Sequence, residues 1–121
     1  MSDLLSDPLN RSQIEFLLSL DDGTGEALQE IVGEYLTMSE EGREELLRVL
    51  HEGDASAVEH AAHTLKGASA NVGASALADV CADMERHARQ AQLEDAAGLA
   101  ERFESEFSRA RAALQAVAPR P

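Results

Sequence analysis

Residues 61–74 read AAHTLKGASANVGA, and this stretch settles both the fold and where to look for chemistry. At about 100° per residue, Val58, Ala61, Ala62, Leu65, Ser69 and Val72 gather on one side of a helix running from about 55 to 71. That side must face a core. His63 falls on the far side, roughly 160° from the centre of the apolar cluster. Gly67 and Ala70 continue its outer stripe, and Lys66 lies on the flank, one turn along. Glycine weakens a helix interior by roughly 1 kcal/mol relative to alanine. On a solvent-facing stripe, packing gives no reason to place it there.

An imidazole followed along its stripe only by Gly and Ala is one that a partner can approach closely. Neutral imidazole is a competent nucleophile near neutral pH and forms covalent intermediates. An ammonium beside it suits an anion: a phosphoryl group adds nearly two negative charges, which Lys66 can hold through charge-assisted hydrogen bonds. A surface histidine is ordinarily only a solvated side chain. His51, His60 and His87 keep that reading, and spacing alone leaves both readings open for His63. Glu59, His60 and His63 offer a metal site as an alternative reading. However, histidines three apart diverge, no Glu-x-x-His pair recurs on another helix, and Lys66 would repel the ion.

Working outward, "HEGDAS" supplies a helix stop at Gly53 and an N-cap at Asp54. Before it, Leu28, Ile31, Val32, Tyr35, Leu36, Leu46, Leu47 and Leu50 recur at helical spacing. They predict one long helix to about residue 51, capped by Asp22 or Thr24 and kinked near Gly42. A short apolar run from Ile14 to Leu20, ended by "DDGTG", predicts a small helix across one end of a bundle. After "NVGAS", a helix turns Leu77, Val80, Cys81, Met84 and Ala88 inward. A last helix from about 93 to 117 carries Ala96, Leu99, Phe103, Phe107, Ala110, Leu114 and Val117 as one stripe.

The chain has 121 residues, 44% of them hydrophobic but only 3% aromatic, and its three prolines lie near the termini. One domain with a core of Ala, Leu and Val favours packed helices over a sheet. Short connections make sequential helices antiparallel neighbours. The expected fold is therefore all-α: an antiparallel up-down-up-down four-helix bundle with a short additional N-terminal helix. Its expected limits are 11–118, with 1–10 a flexible N-terminus and 119–121 a tail.

Twenty-three acidic against ten basic residues give a net charge of −13. Such a surface repels phosphate backbones and anionic lipid, so neither nucleic acid nor membrane is the expected partner, and a monomer is favoured. A single cysteine excludes an internal disulfide. No stretch approaches the roughly 20 apolar residues of a membrane span, and the N-terminus lacks the pattern of a signal peptide, so a cytoplasmic protein is expected.

The stretch "AHTLKGASANVGASALADVCADMERHAR" closely resembles the histidine-containing phosphotransfer (HPt) domains of multistep two-component phosphorelays. The family signature of His, then Lys-Gly, a nearby Ser and a following Gly-Ala is matched by His63, Lys66, Gly67, Ser69, Gly73 and Ala74. Leu77, Cys81 and Glu85 match the next helix, and Gly53 with Asp54 match the helix entry. The resemblance implies that His63 accepts a phosphoryl group from an aspartyl phosphate on a receiver domain and passes it to another receiver. Lys66 would support the phosphoryl group electrostatically, and Gly67 would clear space for the receiver's loops. Arg89, with Arg86 second, would reach the phosphoryl group, Glu85 could orient the imidazole, and Ser69 would support the site.

The resemblance implies no bound cofactor and no metal of the chain's own. The divalent metal is expected on the partner receiver, whether of a response regulator or of a hybrid sensor histidine kinase. A carrier of this kind is not an autonomous kinase, and no G-x-x-x-x-G-K-[ST] phosphate loop is present. The alternative function, from another class, is a bundle that docks receivers as a scaffold without transfer. Retention of both His63 and Lys66 favours the shuttle.

Overall fold

The stripe Val58–Val72 needs a partner surface along its whole length, and the bundle is built around it. The computed structural model describes residues 8–20 and 23–118. Their helices are α1 (Arg11–Ser19), α2 (Glu26–Glu52), α3 (Ala55–Asn71), α4 (Ser75–Arg89), α5 (Leu93–Ala97) and α6 (Ala100–Val117). Residues 1–7 of the expected flexible N-terminus, the tail 119–121 and the candidate cap Asp22 lie outside the described residues.

α2, α3, α4 and α6 form the up-down-up-down bundle, each packing on the next and α6 closing back on α2. α2 is unbroken from Glu26 to Glu52. The structure gives Gly42 a packing reason, since a Cβ there would sit 3.3 Å from Leu65 Cδ1. α2 stops at Gly53, whose φ of 75° is the left-handed C-cap that favours glycine. The Asp54 carboxylate then accepts from the Ala57 amide at 3.1 Å and starts α3. Thr24 Oγ1 accepts from the Glu26 amide at the entry to α2.

Leu46, Val58, Ala62, Leu65, Val80, Cys81, Met84, Phe103 and Leu114 are fully buried at the centre. Each large apolar side chain so placed contributes about 1.5–3 kcal/mol. The one buried side chain–side chain bond between α2 and α3 among the described residues joins Tyr35 Oη and Ser69 Oγ at 2.7 Å. Burial raises the Tyr35 phenol to about 12, so the pair stays neutral and fixes how the two helices meet. At the surface, Arg43 forks onto Glu104 at 2.6 and 2.7 Å and lies 5.7 Å from the Phe107 ring centroid, tying α2 to α6.

Two details of the last arm differ from the sequence reading. The expected single helix over 93–117 is two segments. Gly98 and Leu99 keep right-handed dihedrals, but the Leu99 amide slips to Ala96 O, tightening one turn. Val117, expected on the inner stripe, is 40% exposed, and Ala118 is buried instead.

α1 is anchored to the α3–α4 turn. The Asn10 amide donates to Gly73 O at 2.6 Å and Gln13 Nε2 donates to Asn71 O at 2.8 Å, while Ile14 and Leu17 enter the core. Gly73 has φ 82°, and a Cβ there would lie 3.3 Å from both Asn10 O and Ile14 Cδ1. Gly73→Ala therefore combines left-handed strain of about 1–2 kcal/mol with pressure on α1. The expected result is loss of hydrogen-exchange protection across α1 while α2–α4 keep theirs. Unchanged protection of the α1 amides would contradict this account.

Cys81 is fully buried and its thiol is raised to about 12 by desolvation. A thiol reagent is expected to leave the native protein unlabelled on a timescale at which the unfolded chain reacts completely. Rapid native labelling would mean that the helical phase of α4 is wrong.

Candidate functional site

α3 and α4 run antiparallel side by side, which sets His63 of α3 opposite Glu85 of α4. The His63 side chain is 64% exposed, while that of Glu85 is only 6% exposed. His63 Nδ1 lies 2.9 Å from Glu85 Oε2. A carboxylate only accepts, so Nδ1 carries the ring proton and the lone pair is left on Nε2. Among the described residues, Nε2 makes no hydrogen bond.

Glu85 is a buried charge with three cationic or donor neighbours. Lys66 Nζ reaches Oε1 at 2.7 Å, and Arg89 Nη2 reaches Oε2 at 2.7 Å beside the His63 contact. Burial pushes the Glu85 carboxyl up, but hydrogen bonds from Lys66 and His63 outweigh it and hold the group below the usual glutamate range. A carboxyl depressed in the fold stabilises it above about pH 4.3 and loses that contribution as pH falls through the folded value. The carboxylate that orients the ring is therefore ionised at neutral pH.

The remaining sequence-predicted residues separate clearly. Gly67 is exposed, and a Cβ added there would meet nothing within 4 Å. Nothing in the chain itself requires a glycine at that position. Arg89 is at the site, but one edge of its guanidinium is shared between two carboxylates, Nε donating to Glu59 Oε2 at 2.9 Å and Nη2 to Glu85 Oε2 at 2.7 Å. Arg86 points elsewhere, to Asp83 at 2.9 Å, and Asp83 also takes Arg102 of α6. Ser69, expected among the supporting residues, is buried in the core on Tyr35. Its place on the apolar side of the wheel already pointed inward.

Glu59 enters the site in a part that sequence reading did not give it. The sequence offers it only as a metal ligand, whereas its carboxylate is bound to Arg89. Among the described residues no group of three or more His, Cys, Asp or Glu is placed to hold a metal ion. The signal for Glu59 was its position one turn before His63, but its partner lies 30 residues away. No helix among the described residues is long and apolar enough to cross a membrane.

The site thus presents an exposed imidazole with its proton on Nδ1, a cation one turn along and open space at Gly67. The Hpt domain family model matches residues 30–113, and the chain belongs to that family, whose members are phosphocarriers rather than kinases. It is a histidine phosphotransfer protein of phosphorelay signalling. Among solved structures it is similar to histidine-containing phosphotransfer protein B (HptB) from Pseudomonas aeruginosa PAO1. The TM-score is 0.82 at 32% identity, over 94% of this chain and 96% of that one. No curated protein matches it.

Proposed function

We propose that His63 Nε2 is the phosphoacceptor, taking the group from an aspartyl phosphate on one receiver domain and giving it to the aspartate of another. The carrying observation is the His63–Glu85 pair, which leaves the reactive lone pair on the exposed nitrogen. The Nε2 lone pair attacks phosphorus, the bond from phosphorus to the acyl oxygen breaks, and the receiver's carboxylate leaves with that electron pair. The ring becomes an N-phosphorylated imidazolium, and Glu85 holds its Nδ1–H. In the second transfer a receiver carboxylate attacks phosphorus and the P–N electrons return to Nε2. Neither step moves a proton, so the carrier needs no general acid or base, and Glu85 only holds the ring.

Lys66 supplies positive charge to the phosphoryl oxygens and Gly67 gives the receiver room. The divalent ion belongs to the receiver, where it neutralises the charge passing to and from the aspartate. The chain acts as a cytoplasmic monomer, in keeping with its strong net charge. Incubation with phosphorylated receiver domains, followed by time course, tests this. Label is expected to move onto the chain as an acid-labile, alkali-stable adduct at His63 Nε2 and then onto a second receiver. Stable docking of receivers without any label on the chain would instead support a scaffold.

A further inference from the structure

Arg89 is at the site, but its contacts do not fit its expected role. Glu59 and His63 stand one turn apart on α3, and Glu85 and Arg89 one turn apart on α4. Their contacts close a ring across the helix pair: Arg89 Nε to Glu59 at 2.9 Å, Arg89 Nη2 to Glu85 at 2.7 Å, and Glu85 to His63 at 2.9 Å. Within this ring the two oxygens of Glu85 divide the work. Oε2 carries both Arg89 and His63, whereas Oε1 carries Lys66.

Lys66 is the cation with one tether and a flexible stem, so it can swing to a phosphoryl group. Arg89 is held by two carboxylates along its Nε–Nη2 edge and would have to leave both to turn that fork onto a phosphoryl group. When Lys66 leaves, Glu85 is still a buried carboxylate. While the ring is still neutral, Glu85 without a remaining cation would tend to take up a proton and lose its hold on Nδ1–H.

We infer that Arg89 is a positioning residue: anchored by Glu59, it keeps Glu85 charged and aimed at His63 while Lys66 moves to the phosphoryl group, and it does not bind that group itself. The inference rests on the reading of His63 as phosphoacceptor. It makes Glu59 part of the working site and divides the two cations into one that travels and one that stays.

A double-mutant cycle on Arg89→Gln and Glu85→Gln in the full chain separates this role from direct phosphoryl binding. Labelling is followed with phosphoramidate and, in parallel, from a phosphorylated receiver domain. Glutamine at position 85 still accepts from Nδ1–H but has no charge for Arg89 to hold. Arg89→Gln alone is expected to slow labelling about tenfold, the scale of one partly exposed charge-assisted bond. In the Glu85→Gln background the same change should matter less than about twofold. Arg89→Lys, which can reach only one of the two carboxylates, should recover part of the loss.

The second readout is the ring itself. In phosphorylated wild type, 1H–15N spectra should show a sharp Nδ1–H signal. In phosphorylated Arg89→Gln that signal should broaden or vanish, although the unphosphorylated variant, with Lys66 still on Glu85, keeps it. Equal losses in both Glu85 backgrounds, or an unchanged Nδ1–H signal, would overturn the positioning role and return Arg89 to the phosphoryl group. Wild type that takes no label from either donor would instead sink the phosphoacceptor reading, and the inference with it.

Discussion

His63→Gln is expected to fold as the wild type does and to take up no phosphoryl group from any donor. The ring is mostly exposed, and its one hydrogen bond among the described residues goes to a carboxylate that Lys66 and Arg89 still hold. Exposed changes of this kind usually fall within about 0.5 kcal/mol of neutral. Glutamine has no nucleophilic lone pair of comparable basicity, so the loss of transfer should be complete. His60, one turn earlier on α3, is the control that the chain provides. It too is exposed, but Glu85 bonds the ring of His63. Thermal unfolding and label mapping check the two halves of the expectation. Label that persists in the variant, or that maps to His60, would remove His63 from the mechanism.

Gly67→Gln should separate partner access from chemistry. The position has open space around it and lies one turn beyond His63 on the outer stripe. Replacing a mid-helix glycine should stabilise α3 by several tenths of a kcal/mol, which raises Tm by roughly 2–4 °C in a domain of this size. A receiver seated over the imidazole would meet the new side chain. Forcing extra atoms into a packed contact costs about 1–3 kcal/mol, so receiver-to-His63 transfer should slow about five- to hundredfold. A small donor such as phosphoramidate should label variant and wild type alike. Transfer from the receiver at the wild-type rate would show that no partner surface passes over Gly67.

The helical phase of α3 was legible because it has six inward positions, Val58, Ala61, Ala62, Leu65, Ser69 and Val72, and all of them are buried. Gly53 and Asp54 marked its start for local reasons that need no tertiary knowledge. The last arm was harder. Gly98 interrupts the helix without leaving right-handed dihedrals, so an apolar repeat passes through it undisturbed. At Val117 the helix ends and the backbone leaves helical geometry, so Ala118 and not Val117 meets the core.

At the site, exposure and spacing pointed to His63, Lys66 and Gly67 together, because all three lie on one helix. The Glu85 contacts and the Glu59–Arg89 pair depend on how α3 and α4 align. That alignment is fixed by core packing across the whole length of both helices, not by a local pattern. Ser69 belonged to two patterns at once, the family signature and the apolar face, and the fold gave it to the second.

The antiparallel alignment of α3 with α4 also limits how this chain can change in length. Three residues, Val72 to Ala74, connect the two helices. One residue gained or lost within either helix would turn everything beyond it by about 100°. Glu85 and Arg89 would then swing off the His63 side while the composition of both helices stayed the same. The connection between α4 and α5 carries no such constraint from the site. Insertions and deletions should therefore be tolerated around residues 90–92 and rejected within 59–71 and 75–89, so that the two helical stretches behave as one reading frame for the histidine.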